Sequence, residues 1–416
     1  MSSSVYGAFA HAYVTQVSAV VARMLESEGA AAAALMRKTV AEGSSVRGFG
    51  NGGSSAIVRS VLAQLRAGHA GLDVNEAMVS LAALAYTAQR EGYRTVFSGV
   101  LADEIDSVGL VLVASVSGRS ENIVEAVGLC RRHGVPVLAT VGGRGDQLGP
   151  VDGMVWPTGA TDQQVSEDAM LTALTLTAAA STEPEHLPLS HRLEEYLHAL
   201  ASLDTRRLGQ WIGAATRAVT DAIRRRSAIY VLCPDGGPLA LAGEHFAHNL
   251  HWDAPLGVEG IRPPVVMSDP SLADMSAIYN DHPDPAHGVR YQLHSASVGD
   301  VVFLLAYDSN GRTNRQAVDA ALQAGAHVFL LHRDGPDPLV AGQRSQRLPP
   351  VDDFGLPCLV QSIAHMVCRT TRAALADGPA SAAGAGPSPL DLMAQDLAPR
   401  RELSAPTPAI ALEGRP

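Results

Sequence analysis

The sequence predicts an α/β fold built from two similar halves, each with a parallel β-sheet flanked by helices. Short apolar segments alternate along the chain with segments of helical spacing, which is typical of parallel α/β sheets. Apolar runs such as Leu110–Ala114 show no polar alternation, as expected of strands that are buried on both faces. The order of these segments recurs with an offset of roughly 190 residues. The repetition indicates a tandem duplication.

Composition limits the classes of function. The chain has 416 residues, of which 46% are hydrophobic and 18% charged, so it can bury a large core and form two or three domains. Its formal net charge of −11 argues against a nucleic-acid partner. The four cysteines are scattered without metal-binding spacing, and no leader or membrane span is expected. We therefore expect a cytoplasmic protein with no membrane partner, and the Ala- and Arg-rich, Lys-poor composition suits a GC-rich bacterial genome.

The first half opens with amphipathic helices over about 5–42. Strands are expected at Ser45–Phe49, Leu110–Ala114, Val135–Val141 and Val151–Pro157, and a strand followed by a helical turn at Ser80–Gln89. Helices are expected from Ser54 or Ser55 to Ala67, at Glu121–Arg132 and at Glu167–Ala180.

A hydroxyl-rich turn links the strand Leu110–Ala114 to the helix Glu121–Arg132. It contains Ser115, Ser117 and Ser120 around Gly118. Free backbone N–H groups, hydroxyl donors and the positive end of a helix dipole meet there, which favours an anion such as phosphate. An ordinary serine–glycine turn with a helix cap explains the same residues equally well.

The second half repeats this pattern after a linker at Ser181–Pro188 and a helix-rich lead-in at Arg192–Arg226. Strands are expected at Ala228–Leu232, Pro264–Met267, Asp300–Tyr307 and Ala326–Leu331. Helices are expected at Leu239–Trp252, Thr313–Gln323 and Leu359–Leu375. The domains are therefore placed at 1–182 and 183–375, and 376–416 is expected to be a disordered tail rich in proline, alanine and glycine.

With both halves in view, the chain resembles the sugar isomerase (SIS) domain family, and most of all its phosphoheptose isomerase branch. The similar segments are GFGNGGSSAIV, ASVSGRSENIVEAV and HGVPVLATVGG in the first half, and GGPLALAGEHFAHNL, VVMSDPS, AIYND and GDVVFLLAYDSNGRTN in the second. The resemblance implies two tandem SIS domains, each a five-stranded parallel sheet flanked by helices. It also implies a phosphosugar ligand and a homodimer or higher oligomer.

Carried over by position, phosphate binding falls on five residues of the first half: Ser115, Ser117, Ser120, Asn51 and Ser54. Phosphoheptose isomerases carry a His and, one turn later, a Glu on the helix after Asn-Gly-Gly-Ser. The first half has Ser60 and Gln64 at those positions, so it keeps the phosphate turn without the acid–base groups.

The second half shows the reverse pattern. Its turn contains Asp308, which would repel a phosphate, and the family's Glu falls on Asn249. Yet the helix after Gly-Gly carries potential acid–base groups, the closing helix carries another, and an Asp stands at the family's Asp position. These residues are Glu244, His245, His248, His251, His365 and Asp269.

Aldose–ketose isomerisation moves a proton between C1 and C2, for which His and Glu are suited. We predict His245, Glu244 and His365 as catalytic residues, although a partly buried His245 at a domain interface is an equal alternative. Asp269 either binds a sugar hydroxyl or caps a turn. No cofactor is required, but His245 and His248, with Glu244 or His365, are candidate ligands of Zn²⁺.

These observations predict a phosphosugar isomerase with one composite site. Phosphate would bind to the first half, and the second half would supply the acid–base groups. One alternative is a phosphosugar-binding or scaffolding protein without catalytic activity, because neither half has the complete family set of residues. Another is a related amino-sugar reaction, such as deamination or amine transfer, which the resemblance also allows.

Overall fold

The computed structural model describes most of the chain. The described residues are 3–76, 81–143, 145–182, 188–258, 261, 264–267, 272–282, 284–335 and 344–376. Asp269 and all of the expected tail except Ala376 lie outside them. The boundary predicted between residues 182 and 183 falls beside another such gap, at 183–187, and stays a prediction.

The first domain contains a five-stranded parallel sheet. Its strands are β1 (Ser45–Gly50), β2 (Val74–Glu76), β3 (Val108–Ser115), β4 (Val137–Val141) and β5 (Gly153–Pro157). They lie in the order β2-β1-β3-β4-β5, and every pair is parallel. Strand β3 is apolar throughout because Leu110 and Leu112 pack into one core and Val111 and Val113 into another, on the opposite face.

The second domain repeats this sheet. Its strands are β6 (Ile229–Leu232), β7 (Val266–Met267), β8 (Val301–Asp308), β9 (His327–Asp334) and β10 (Ser345–Arg347). Their order is β10-β9-β8-β6-β7, which is the same relative order as in the first domain. The parallel pairing and the repeated order confirm the predicted fold class.

Fourteen helices surround the two sheets in the described part of the chain. They are α1 (Ser3–Met24), α2 (Ala30–Ala41), α3 (Gly53–Gly68), α4 (Leu81–Glu91), α5 (Val96–Ala102), α6 (Glu121–His133), α7 (Gln163–Thr182), α8 (Leu189–Ala201), α9 (Thr205–Arg225), α10 (Gly237–Trp252), α11 (Leu272–Asp281), α12 (Pro285–Leu293), α13 (Arg312–Gln323) and α14 (Gly355–Ala376). A π-helical segment, Leu25–Gly29, joins α1 to α2.

The two domains share a core made of helices. Helix α3 packs on α7 and α10, α14 packs on α7, α9 and α10, and α1 packs on α7 and α9. One continuous cluster of buried side chains includes Trp156 of the first domain and Trp211 and Phe303 of the second. The shared core places α7 of the first domain directly beside α10 and α14 of the second.

The segment Ser80–Gln89 differs from its prediction as a strand with a helical turn. Residues 81–91 form helix α4, in which Leu84 and Ala88, four residues apart, pack on the first-domain core. This i,i+4 contact explains why a segment without β-type alternation becomes a helix. The outer strand at this edge of the sheet is β2 instead.

The N-terminal helical segment Ser4–Ala41 is long and apolar enough to cross a membrane by length and composition alone, which the sequence analysis did not expect. In the fold, α1 packs on α7 and α9 and buries Phe9, Tyr13 and Val17 in the shared core. A core helix of a globular protein meets the same length and hydropathy test.

Candidate active site between the two domains

The serine turn after β3 is built as an open cradle. Gly118 has a φ of 60°, a conformation that favours glycine, and its N–H donates to the Ser115 hydroxyl at 3.2 Å. The Arg119 N–H donates to the Ser117 hydroxyl at 3.2 Å. Ser120 stands at the N-cap of α6, but its side chain makes no capping hydrogen bond. The three serines therefore present hydroxyl groups at a helix N-terminus, where an anion is stabilised.

The turn after β1 lies beside this cradle. The Asn51 and Asn122 side chains donate to each other at 3.1 and 2.9 Å, and the Tyr93 hydroxyl donates to Asn51 Oδ1 at 3.0 Å. Asn51 thus ties the two turns together, and Ser54, in the first turn of α3, is buried next to it.

A cavity of about 710 Å³ extends from the cradle to the second domain. The first domain supplies the predicted phosphate-binding residues and the start of α7, and the second supplies the end of α10. The lining residues are Asn51, Gly52, Gly53, Ser54, Ser115, Val116, Ser117, Arg119, Ser120, Thr161, Gln163, Glu167, His248, Asn249, Trp252 and Asp253. The cavity thus joins the five predicted phosphate-binding residues to a face of the second domain.

A buried cluster of titratable side chains borders this cavity at Glu167. The Glu167 Oε2 atom lies 3.4 Å from His365 Nε2 and 3.9 Å from His245 Nε2. Glu167 comes from α7 of the first domain, whereas the histidines come from α10 and α14 of the second. Glu167 lines the cavity, so the cluster and the cradle border the same space.

Gly53 connects the cradle to the cluster. It lines the cavity, and a Cβ atom on it would stand 2.7 Å from His245 Nε2 and 3.3 Å from Glu167 Oε2. Real Cβ atoms do not come this close, so the absence of a side chain lets His245 approach the start of α3. Gly53 thus allows close packing between the domains in addition to its place beside the turn.

Comparison with known proteins identifies the fold. A model of the SIS domain family matches residues 12–142. This match lies within the first domain. The second domain repeats the strand order of the first. No curated protein matches the chain.

Solved structures support the tandem arrangement over nearly the whole length. A candidate phosphosugar isomerase from Clostridium difficile 630 is 13% identical, has a TM-score of 0.55, and covers 87% of this chain and 92% of its own. The C-terminal domain of the Francisella tularensis glucosamine-fructose-6-phosphate aminotransferase is 11% identical (TM-score 0.51; 90% and 98% covered). The Thermotoga maritima glucosamine-6-phosphate deaminase is 10% identical (TM-score 0.50; 89% and 98% covered). At identities this low, the structural similarity shows a shared fold.

The pKa values of the cluster diverge. Burial and the nearby His365 lower the pKa of His245 to about 4, so this imidazole is neutral at pH 7. Burial also opposes charge on His365, but Asp168 and Glu167 outweigh it and raise the pKa of His365 to about 10. Burial likewise opposes charge on Glu167, but His365 and His245 lower its pKa to about 2. The interface between the two domains therefore holds an ionised Glu167 beside a protonated His365.

The structure brings together only part of the predicted catalytic set. His245 and His365 are in contact, with ring centroids 5.3 Å apart. Glu244 instead lies outside the cavity lining, in a half-exposed ion pair with Arg59 across the α3–α10 contact, with an N–O distance of 2.5 Å. His248 is exposed at the cavity rim, and Asp269 lies outside the described residues.

The cluster fits a divalent metal better than the predicted pair His245 and His248 does. One donor atom each from Glu167, His245 and His365 lie within 4.8 Å of one another. Both His Nε2 atoms are buried without a hydrogen bond among the described residues, and both face the same carboxylate. Two histidines and one glutamate are a ligand set of catalytic zinc.

Glu167, Asp168 and Gln361 were not predicted as site residues from the sequence. Two adjacent acidic residues in the buried helix α7, which has no other charged residue, were a detectable signal, because a buried carboxylate requires a partner. The Glu167 and Asp168 side chains are both almost fully buried, and both are paired with His365.

Proposed function

We propose that this tandem SIS protein isomerises a phosphosugar between its aldose and ketose forms. A long-chain ketose phosphate such as sedoheptulose 7-phosphate is the favoured substrate, from the resemblance to phosphoheptose isomerases. The observation that carries the proposal is the single cavity that joins the serine cradle to Glu167. The substrate's phosphate and its reacting carbons would then lie in different domains.

Phosphate binding falls to the first domain. The hydroxyls of Ser115, Ser117 and Ser120 and the N-terminus of α6 would donate to the phosphate oxygens. Arg119 is exposed at the same turn and adds positive charge. Phosphate held there leaves the sugar chain to extend through the cavity toward α7 and α10.

Proton transfer falls to Glu167. It is the cluster member that lines the cavity, and its lowered pKa keeps it ionised and able to accept a proton. That same low pKa makes it a weak base, so the carbonyl group must be polarised by another group. The protonated His365 beside it supplies a positive charge that would stabilise the enediolate.

Glu167, His245 and His365 would hold a divalent metal if one binds. Such an ion would act as a Lewis acid on the sugar carbonyl. The neutral His245 is already in the protonation state that a metal ligand requires, whereas His365 would first have to lose its proton.

Hydrogen exchange at the reacting carbons tests the proposal. In D₂O, the wild-type protein should introduce deuterium next to the carbonyl of a ketose phosphate, as followed by ¹H NMR over a panel that includes sedoheptulose 7-phosphate. Glu167→Gln should reduce the exchange by about 10²–10⁴-fold and still be stabilised thermally by the phosphosugar. Glu91→Gln, an exposed substitution on α4, is the matched control and should exchange like the wild type.

The second candidate is a phosphosugar-binding protein without catalysis. This function is supported by the pairing of both Glu167 and Asp168 with His365, which neutralises charge within the cluster. Thermal stabilisation by phosphosugars without deuterium exchange for any of them would decide for this function. Full exchange by Glu167→Gln would instead contradict the proposed role of Glu167.

We further propose a cytoplasmic homodimer or higher oligomer, as the resemblance to phosphoheptose isomerases implies. The four free cysteines are buried, which is consistent with a reducing compartment.

A further inference from the structure

A chain of hydrogen bonds links the two buried histidines behind the cavity. His245 Nδ1 lies 2.7 Å from Gln361 Oε1, and Gln361 Nε2 lies 3.1 Å from Asp168 Oδ1. The same Asp168 Oδ1 lies 2.8 Å from His365 Nδ1. One carboxylate of the first domain therefore reaches both imidazoles of the second, and it reaches His245 through the Gln361 amide.

The direction of the bonds in this chain follows from the Gln361 amide. Its NH₂ group donates to Asp168 Oδ1, so its carbonyl oxygen is the atom that faces His245. The Tyr13 hydroxyl occupies the other Asp168 oxygen as a donor, at 2.7 Å. The Gln361 carbonyl then points at His245 and accepts from its Nδ1–H.

We propose that Asp168 and Gln361 form a tautomer relay that holds His245 in its Nδ1–H form. The Nε2 atom then carries the lone pair, and it faces Glu167 Oε2 at 3.9 Å behind Gly53. This inference rests on the proposed function for its catalytic meaning. Asp168 and Gln361 are positioning residues: they do not line the cavity, but they fix which nitrogen of His245 is basic.

Burial makes the relay rigid. The side chains of Asp168 and Gln361 are 1% and 2% exposed, so water does not compete for these bonds. The opposite tautomer would set an Nε2–H beside Gly53 and leave two acceptors, His245 Nδ1 and Gln361 Oε1, facing each other. In the Nδ1–H tautomer, the Nε2 lone pair would be available to a proton or to a metal ion. Hydrogen-bond partners on the other ring nitrogen orient histidine ligands in this way.

The ¹⁵N signals of the histidine rings test the relay directly. In ¹⁵N-histidine-labelled protein treated with a chelator, the signals lost in His245→Gln identify His245. The wild-type spectrum should show a protonated, pyrrole-type Nδ1 and an unprotonated, pyridine-type Nε2. Gln361→Met should give averaged signals of both tautomers. It should also lower kcat by about 10–100-fold with little change in KM.

Two further variants complete the test. Gln361→Glu should keep the Nδ1–H tautomer, because a carboxyl oxygen at this position can still accept from the His245 Nδ1–H. Gln346→Met replaces a buried glutamine of β10 outside the site and should change neither signal nor kcat. A protonated Nε2 in the wild type, or an unchanged tautomer in a folded Gln361→Met, would overturn the relay. The spectra need no turnover, so a protein without isomerase activity can still confirm it.

Discussion

At the scale of single residues, the site depends on carboxylates that were not predicted from the sequence. His245 and His365 could be predicted from the resemblance, because they stand on the expected helices. Their partners Glu167 and Asp168 belong to the other half of the chain. Predicting them requires knowing that α7 packs on α14, and helical spacing does not show this.

Substitution can distinguish the role of Glu244 from that of Glu167. We expect Glu244→Gln to lower the free energy of unfolding by less than about 1 kcal/mol, because its ion pair with Arg59 is more than one-third exposed. Deuterium exchange should stay close to that of the wild type. Chemical denaturation and the NMR exchange assay measure the two quantities. Loss of exchange in this variant, with its fold intact, would return Glu244 to the catalytic set.

At the scale of elements, the central strands and the edge strands β5 and β7 were predicted, but the edge strands β2 and β10 were not. Strands β3 and β8 have eight residues each, most of them apolar, whereas β2 and β10 have only three residues each. A three-residue strand is too short to show a pattern, and its position is set by pairing with its neighbour. The α4 segment was mistaken for a strand because its apolar composition was considered without the i,i+4 spacing of Leu84 and Ala88.

The beginning of α7 is fixed by the second domain. Arg369 of α14 donates to Asp162 and Gln164, and its guanidinium lies over the Tyr13 ring at 5.2 Å. Asp162 in turn accepts from the Val165 N–H at 2.9 Å and caps the helix. Thr161 and Gln163, on either side of Asp162, line the cavity. This contact therefore shapes the cavity from behind.

Removing this arginine should be costly. We expect Arg369→Met to lower the free energy of unfolding by about 3–5 kcal/mol, because it leaves the buried Asp162 carboxylate without its partner. Urea denaturation measures the change. As the control, Arg312→Met removes a pair with Asp284 in which the arginine side chain is 70% exposed, and it should cost less than about 1 kcal/mol. Equal effects of the two substitutions would show that Arg369 does not hold the domains together.

At the scale of the whole molecule, the two copies of the fold carry different residues at equivalent turns. In the second domain, Asp235 follows β6 and Asp308 ends β8, and these positions are the counterparts of the turn after β1 and of the cradle after β3. Asp235 accepts from the Tyr307 N–H and from Asn314, and Asp308 accepts from the Asn310 N–H. These carboxylates satisfy the donors that a phosphate would need. The second domain contributes His245 and His365 to the interface instead.

The coupled charges at the interface predict how stability depends on pH. The pKa of His365 is raised from 6.5 to about 10, so its contribution is complete below pH 6.5 and is lost as the pH rises to about 10. The pKa of Glu167 is lowered from 4.5 to about 2, so its contribution is lost as the pH falls through that range. The pKa of His245 is lowered from 6.5 to about 4, which destabilises the fold as the pH falls from 6.5.

Stability should therefore be greatest near pH 6.5 and decline on both sides. Urea unfolding across the pH range measures the profile, and His294→Gln, an exposed histidine, should reproduce it. A free energy of unfolding that stays constant from pH 6.5 to 10 would contradict the protonated state of His365.

The composite site is the central claim, and a crystal structure with a bound phosphosugar tests it most directly. We expect the phosphate on the hydroxyls of Ser115, Ser117 and Ser120, and the carbonyl end of the sugar next to Glu167 at the start of α7. A phosphate bound elsewhere, or a sugar chain directed away from Glu167, would contradict a site shared by the two domains.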